Sequence, residues 1–346
     1  MRIVGRLVLL GLLLGVASVD ILRGESSAQD AVLEAYFAHA ASARQRGQPR
    51  RVRIFLQRAI ARAPGDARGV LQLGAIVLPT ELPRAPLSPE QLRDVARLRE
   101  AIVVALGPPA VQDAETARRL RRMDAWAAAV HGQLDTAIEA ASRACGRLDD
   151  ETALMLRRLS RAAVEQQQLL QADRALEGAR RCAAASVEAV WELGIVRLAR
   201  GRTAEAVALL REVVQRKPGD LHALRDLAGA LLASGDAADA LRLYADVAAQ
   251  CPREARCELD LARAALEARA YDQALAACAR ARTIAVANDP EPSLVLAAIH
   301  LGRNARREAI DAFRDALQRA PGNARAAEGL RNLESAPATG ESANPR

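Results

Sequence analysis

The sequence predicts an all-α protein built as a tandem array of antiparallel helix pairs. Three observations predict it. Of 346 residues, 51% are hydrophobic but only 2% are aromatic, so the core must be assembled from many small aliphatic contacts rather than a few large rings. Ala, Leu and Arg, all strong helix formers, dominate the composition. Apolar residues also recur at a fixed interval of 34. This composition excludes a disordered chain, which lacks the apolar share, and a sandwich or barrel, which needs alternating β-branched and aromatic runs.

The interval is visible in three ladders. Leu159, Leu193, Leu227 and Leu261 form one, Ala172, Ala206, Ala240 and Ala274 another, and Leu210, Tyr244 and Cys278 a third. Gly201 and Gly235 keep the same spacing, as do Pro218 and Pro252. Within 187–220, Val190, Leu193 and Gly194 stripe one helical face at the i, i+3, i+4 spacing of a buried seam. Gly201 ends that helix, because glycine adopts the left-handed conformation at little cost. Thr203 is expected to cap a second helix whose stripe is Ala206, Val207, Leu210 and Val213. Pro218-Gly219-Asp220 then breaks the chain and starts the next unit. Small residues such as Gly194 and Ala206 let the two helices cross closely.

The Leu-Gly pair, the turn glycine, the alanine of the second helix, the large apolar residue four positions on and the closing proline together resemble the tetratricopeptide repeat family. The resemblance implies a right-handed α-solenoid of stacked antiparallel helix pairs, a TPR-like superhelix of seven or eight repeats over 29–334. Units 187–220 and 221–254 carry nearly the whole pattern, and 33–66 and 290–323 much of it. Units 118–151, 153–186 and 255–288 fit more loosely. Unit 67–117 is irregular. It runs into the Pro-rich stretch 79–89, where Ser88-Pro89-Glu90 reads as a fresh helix start, and the insertion reads as one the fold tolerates. A cap helix is expected at 324–334 and a disordered polar tail at 335–346.

Ahead of the array, Leu7–Val19 is an uncharged run after two arginines. At about 1.5 Å per residue it reaches roughly 20 Å, short of the ~30 Å hydrocarbon core. Residues 1–28 therefore read as a signal peptide with a cut before Gln29, or alternatively as an uncleaved inner-membrane anchor over residues 3–22. Either reading predicts an exported, periplasmic or cell-envelope protein whose only membrane contact is that segment.

No catalytic constellation is recognisable, so the chain is not expected to be an enzyme and no metal, cofactor or small-molecule substrate is expected. The four histidines fall at different positions of the repeat, which cannot converge them. Among five cysteines, Cys251 and Cys257 flank the Pro252 turn and form a possible disulfide; the alternative is two small helix-end residues. Cys278 reads as a packed core thiol.

The resemblance implies that function lies on the concave face lined by the first helix of each unit. Carried over by register, the partner-binding candidates are Arg157, Arg161, Trp191, Ile195, His222, Arg225, Arg256 and Arg263, with Arg119, Arg122 and Trp126 added by the first looser unit. Basic residues exceed acidic ones by 49 to 42, and arginine forks suit carboxylates. The expected function is a non-catalytic protein–protein interaction scaffold of the cell envelope, holding an acidic or extended partner segment in an Arg-rich groove. The alternative is a polymer-binding module for acidic glycan or another polyanion. Nucleic acid is not expected, given so few aromatic platforms.

Overall fold

Every rung of the three 34-residue ladders is buried, from Leu159 and Leu193 at 0% exposure to Tyr244 at 8%. The structure, a computed structural model, describes residues 29–83, 87–107, 113–146 and 148–335. The proposed signal or anchor segment and residues 336–346 lie outside them. Within them the protein is all-α, with no strand.

The helices pair in chain order. The first pairs are α1 (29–45) with α2 (Pro49–Arg62), α3 (Ala67–Val77) with α4 (Pro89–Leu106), α5 (Ala114–Val130) with α6 (Leu134–Ala144), and α7 (Asp150–Glu165) with α8 (Leu169–Cys182). They are followed by α9 (Val187–Ala199) with α10 (Thr203–Arg216), α11 (Leu221–Ser234) with α12 (Ala237–Gln250), α13 (Ala255–Glu267) with α14 (Tyr271–Ile284), and α15 (Glu291–Gly302) with α16 (Arg306–Arg319). A last helix, α17 (Ala324–Ser335), packs on α16. The contacts divide the chain into two compact units, Met1–Ser186 and Val187–Arg346.

Two kinds of joint build the array. Inside seven of the hairpins one residue takes a left-handed φ: Gly47, Gly132, Gln167, Gly201, Gly235, Arg269 and Asn304. The next residue then donates its N–H back to a carbonyl five positions earlier, as Arg202 does to Arg197 (2.9 Å) and Ala270 to Ala265 (2.8 Å). This backbone closure corrects one expectation. Thr203 is the first residue of α10 and not its cap, and the N-cap, Arg202, forms no side-chain cap bond. Between hairpins, several joints use a side chain instead. Asp66, Asp113, Asp149 and Asp220 each accept from N–H groups of the following helix.

Gln167 and Arg269 hold a conformation that costs an L-residue about 1–2 kcal/mol and glycine nothing. Arg269→Gly and Gln167→Gly are therefore each expected to raise stability by roughly 0.5–1 kcal/mol after the glycine's unfolded-state entropy is subtracted. Urea midpoints check this; a fall in both would show that the side chains hold the turn together.

Of the Pro-rich stretch, residues 79–83 follow α3 as a linker and a long helix begins at Pro89, while residues 84–86 lie outside the described residues. The Ser88 hydroxyl accepts from Gln91 N–H and the Gln91 Oε1 accepts in return from Ser88 N–H (2.9 Å), a full capping box with Pro89 in the first turn. The 18-residue α4 that follows is longer than its partner α3 by seven residues. Two disulfides tie neighbouring hairpins. Cys145, just past α6, joins Cys182 at the end of α8 (Cα–Cα 5.3 Å), and Cys251 joins Cys257 across the α12–α13 turn (6.5 Å). Cys278 is the buried free thiol; burial pushes it up to about 11, and it donates to the Pro292 carbonyl at 3.1 Å.

Candidate functional site

In the second unit the first helices α9, α11, α13 and α15, with α17, present a face on which charge is mostly paired. The Trp191 indole N–H on α9 donates to Asp226 on α11 (2.8 Å). Arg225 on α11 pairs with Asp260 on α13 (3.0 Å). Arg263 on α13 bridges Asp260 (3.2 Å) and Glu291 on α15 (2.8 Å), and Glu291 also takes Arg325 on α17 (3.1 Å). Each first helix is thus bonded to the next. The repeat produces this, because spacings near 34 place a donor on one unit beside an acceptor on its neighbour. The more exposed pairs, such as Glu291–Arg325, contribute about 0.2–1 kcal/mol each, so the ladder sets the register of stacking more than total stability.

The ladder changes the character of the expected Arg-rich groove. Arg225 and Arg263 already have carboxylates, and the acids that supply them, Asp226, Asp260 and Glu291, were not among the sequence candidates. The 35-residue spacings Trp191–Asp226 and Arg225–Asp260 are the signal that finds them. Trp191 is half-buried against the core rather than standing free. Ile195 (39% exposed), His222 and Arg256 remain open to solvent. Cys251 and Cys257 have the Glu254 carboxylate within 4.8 Å. With the two sulfurs joined, that trio offers no thiolate to a metal.

In the first unit, Arg157 and Arg161 are also engaged with other groups. The open chemistry lies nearby, in a cleft of ≈ 740 Å³ between α3, α5, α7 and the linker after α3. Its apolar floor is Leu71, Leu78, Met123 and Met155, with the more exposed Leu154 at the mouth. Met123 passes so close to Gly74 that a Cβ there would collide with the Met123 sulfur. Trp126 is buried and its indole N–H donates to the Pro79 carbonyl at 2.7 Å, pinning the linker as one wall. Arg122 is locked by Glu151 (2.7 Å), Asp149 (3.4 Å) and Glu115 (3.5 Å). Asp149 itself stays below the usual carboxylate range. Burial opposes its charge, but hydrogen bonds from Thr152 and Gly146 and the nearby Arg122 outweigh that. Arg119 and Arg158, at the exposed rim, form no side-chain ion pair or hydrogen bond among the described residues.

Residues 197–256 match the family model described as Tetratricopeptide repeat. That stretch is tetratricopeptide repeat, and the hairpins on both sides of it fold alike. No curated protein matches the chain. Among solved structures it is similar to TTC0263, a thermophilic TPR protein in Thermus thermophilus, at 21% identity, covering 53% of this chain and 98% of that one with a TM-score of 0.44. It is also similar to MamA (41-end) from Desulfovibrio magneticus RS-1, at 18% identity over 53% and 97% of the two chains, TM-score 0.44. YrrB, described as a TPR protein with an unusual peptide-binding site, is 12% identical over 52% and 92%, TM-score 0.42. Among the described residues no helix is long and apolar enough to cross a membrane.

Proposed function

We propose that the chain is a non-catalytic interaction scaffold of the cell envelope that holds a segment of a protein partner against the face made by its first helices. The observation that carries this reading is the paired ladder from Trp191 to Arg325. It fixes successive first helices side by side and leaves Ile195, His222 and Arg256 as open contact points on a rigid face. Preorganisation of that kind lowers the entropy lost on binding. The two cysteine pairs and the apolar amino-terminal run support an oxidising location outside the cytoplasm. The ladder also weakens the polyanion alternative, since Arg225 and Arg263 would have to leave their carboxylates to meet a polymer.

A photoreactive side chain placed at Ile195 or at Arg256 is expected to crosslink the full chain to a protein in an envelope fraction, saturably and with little change on raising salt. The same group at exposed Val286 serves as the control. Capture that collapses between low and moderate salt would favour a polyanion instead, because counterion release makes such binding steeply salt-dependent. Equal labelling from all three positions would dismiss the first-helix face.

A further inference from the structure

The cleft of the first unit has a composition unlike the rest of the chain. It holds two of the three methionines, Met123 and Met155, and one of the two tryptophans, Trp126. Thioether side chains are flexible and polarizable, and a floor made of them adapts to whatever apolar group arrives. Above that floor stand Arg119 on α5 and Arg158 on α7, both without a carboxylate partner among the described residues. Arg122 is saturated by its three acids, so the attraction for an incoming anion sits at Arg119 and Arg158. We propose that this cleft receives an acidic amphipathic helix of a protein partner, its aliphatic stripe on Leu71, Met123 and Met155 and its flanking carboxylates on Arg119 and Arg158. The proposal rests on the scaffold reading above and names the class of segment held.

Three features select a helix over other acidic ligands. The lining contains no Asn or Gln, and Thr80 is its one hydroxyl side chain. An extended peptide would find few acceptors for its N–H groups, since Glu151 is held by Arg122 and the Pro79 carbonyl by Trp126, whereas a helix satisfies its own amides and offers only side chains. Leu154 stays 44% exposed at the mouth. A single alkyl chain on the floor would leave it wet, while a helix laid across the mouth would cover it. Glu81 also lines the cleft, and its charge repels a uniform polyanion while leaving room for carboxylates confined to one edge of a helix.

The test uses the full chain and fluorescein-labelled synthetic peptides of about 18 residues, long enough to form helix. One peptide carries Leu on a helical stripe with Glu beside it. The second is its scramble with the same composition, and the third has Lys in place of Glu. Decanoate is the amphiphile without a helix. Anisotropy is expected to show one-to-one binding of the first peptide, with the scramble and the Lys form each weaker by about tenfold or more, since each forfeits at least one contact of about 1.4 kcal/mol. Arg119→Glu with Arg158→Glu, both at exposed positions that tolerate change, should weaken binding by a similar factor, and Arg256→Glu in the other unit should not. Equal binding of the scramble, displacement of the peptide by decanoate at equal concentration, or indifference to the double charge reversal would each overturn the proposal. If the peptide fails here while crosslinking from Ile195 or Arg256 succeeds, the scaffold reading stands and only the helix assignment falls. If crosslinking fails as well, both fall.

Discussion

Leu193→Ala is expected to lower the unfolding free energy by roughly 3–5 kcal/mol. Leu193 is a rung of the leucine ladder with no solvent exposure, and α9 supplies it to the seam with α10. Two terms add. The side chain loses its transfer free energy, and a cavity remains because the neighbourhood cannot close over it. Closure is blocked next door, where a Cβ on Gly194 would already lie 3.0 Å from Leu210. The helices are in contact at that crossing and cannot move inward to fill a vacated leucine. Urea denaturation of the variant, with hydrogen exchange across α9 to α11, measures the effect and locates it. Val286→Ala, at 73% exposure, is the matched control and should stay within about 0.5 kcal/mol of the parent. A loss below 1 kcal/mol for Leu193→Ala would mean that the hairpin repacks freely, contrary to the close crossing.

Removing the Cys145–Cys182 bridge with paired serines is expected to cost about 4 kcal/mol, and removing Cys251–Cys257 only about 2 kcal/mol. The difference comes from the lengths of chain closed, 37 residues against six. The unfolded chain gains more freedom when the longer loop is released. The longer bridge also sits in a bonded junction. Asp149 N–H donates to the Cys182 carbonyl at 3.0 Å, and the Asp149 carboxylate accepts from Gly146 (3.3 Å) and Thr152 (2.9 Å). Urea midpoints of the two double-serine variants, each compared with the parent under oxidising conditions and in reductant, give the measurement. Equal losses from the two pairs would contradict the loop-length account.

The fold was legible because the 34-residue period acts on the residues that bury, and burial is what a hairpin array must repeat. The aliphatic rungs, the turn glycines and the Ser88-Pro89 helix start all carry local chemistry that a sequence displays. The charged face was less legible. Arginine is common throughout the chain, so its presence at an inner position says nothing about whether a carboxylate one unit away already neutralises it. Arg225 and Arg263 show this. The cleft was hidden for another reason. Its wall comes from the linker at Pro79, whose carbonyl accepts from Trp126, 47 residues on. The Cys145–Cys182 pair is not legible in the sequence because α6 has 11 residues and α8 has 14, which stretches the spacing to 37 and takes it off the ladder.

That same bridge gives the chain an unequal response to force. Between Cys145 and Cys182 lie α7 and α8, one whole hairpin. If the chain is drawn out by its ends, the load passes from sulfur to sulfur and bypasses this hairpin. At about 3.5 Å per extended residue, the 37-residue loop withholds roughly 130 Å of contour. A reductant would release that length as a discrete step, so the thiol–disulfide balance of the surroundings sets how far the chain can be stretched.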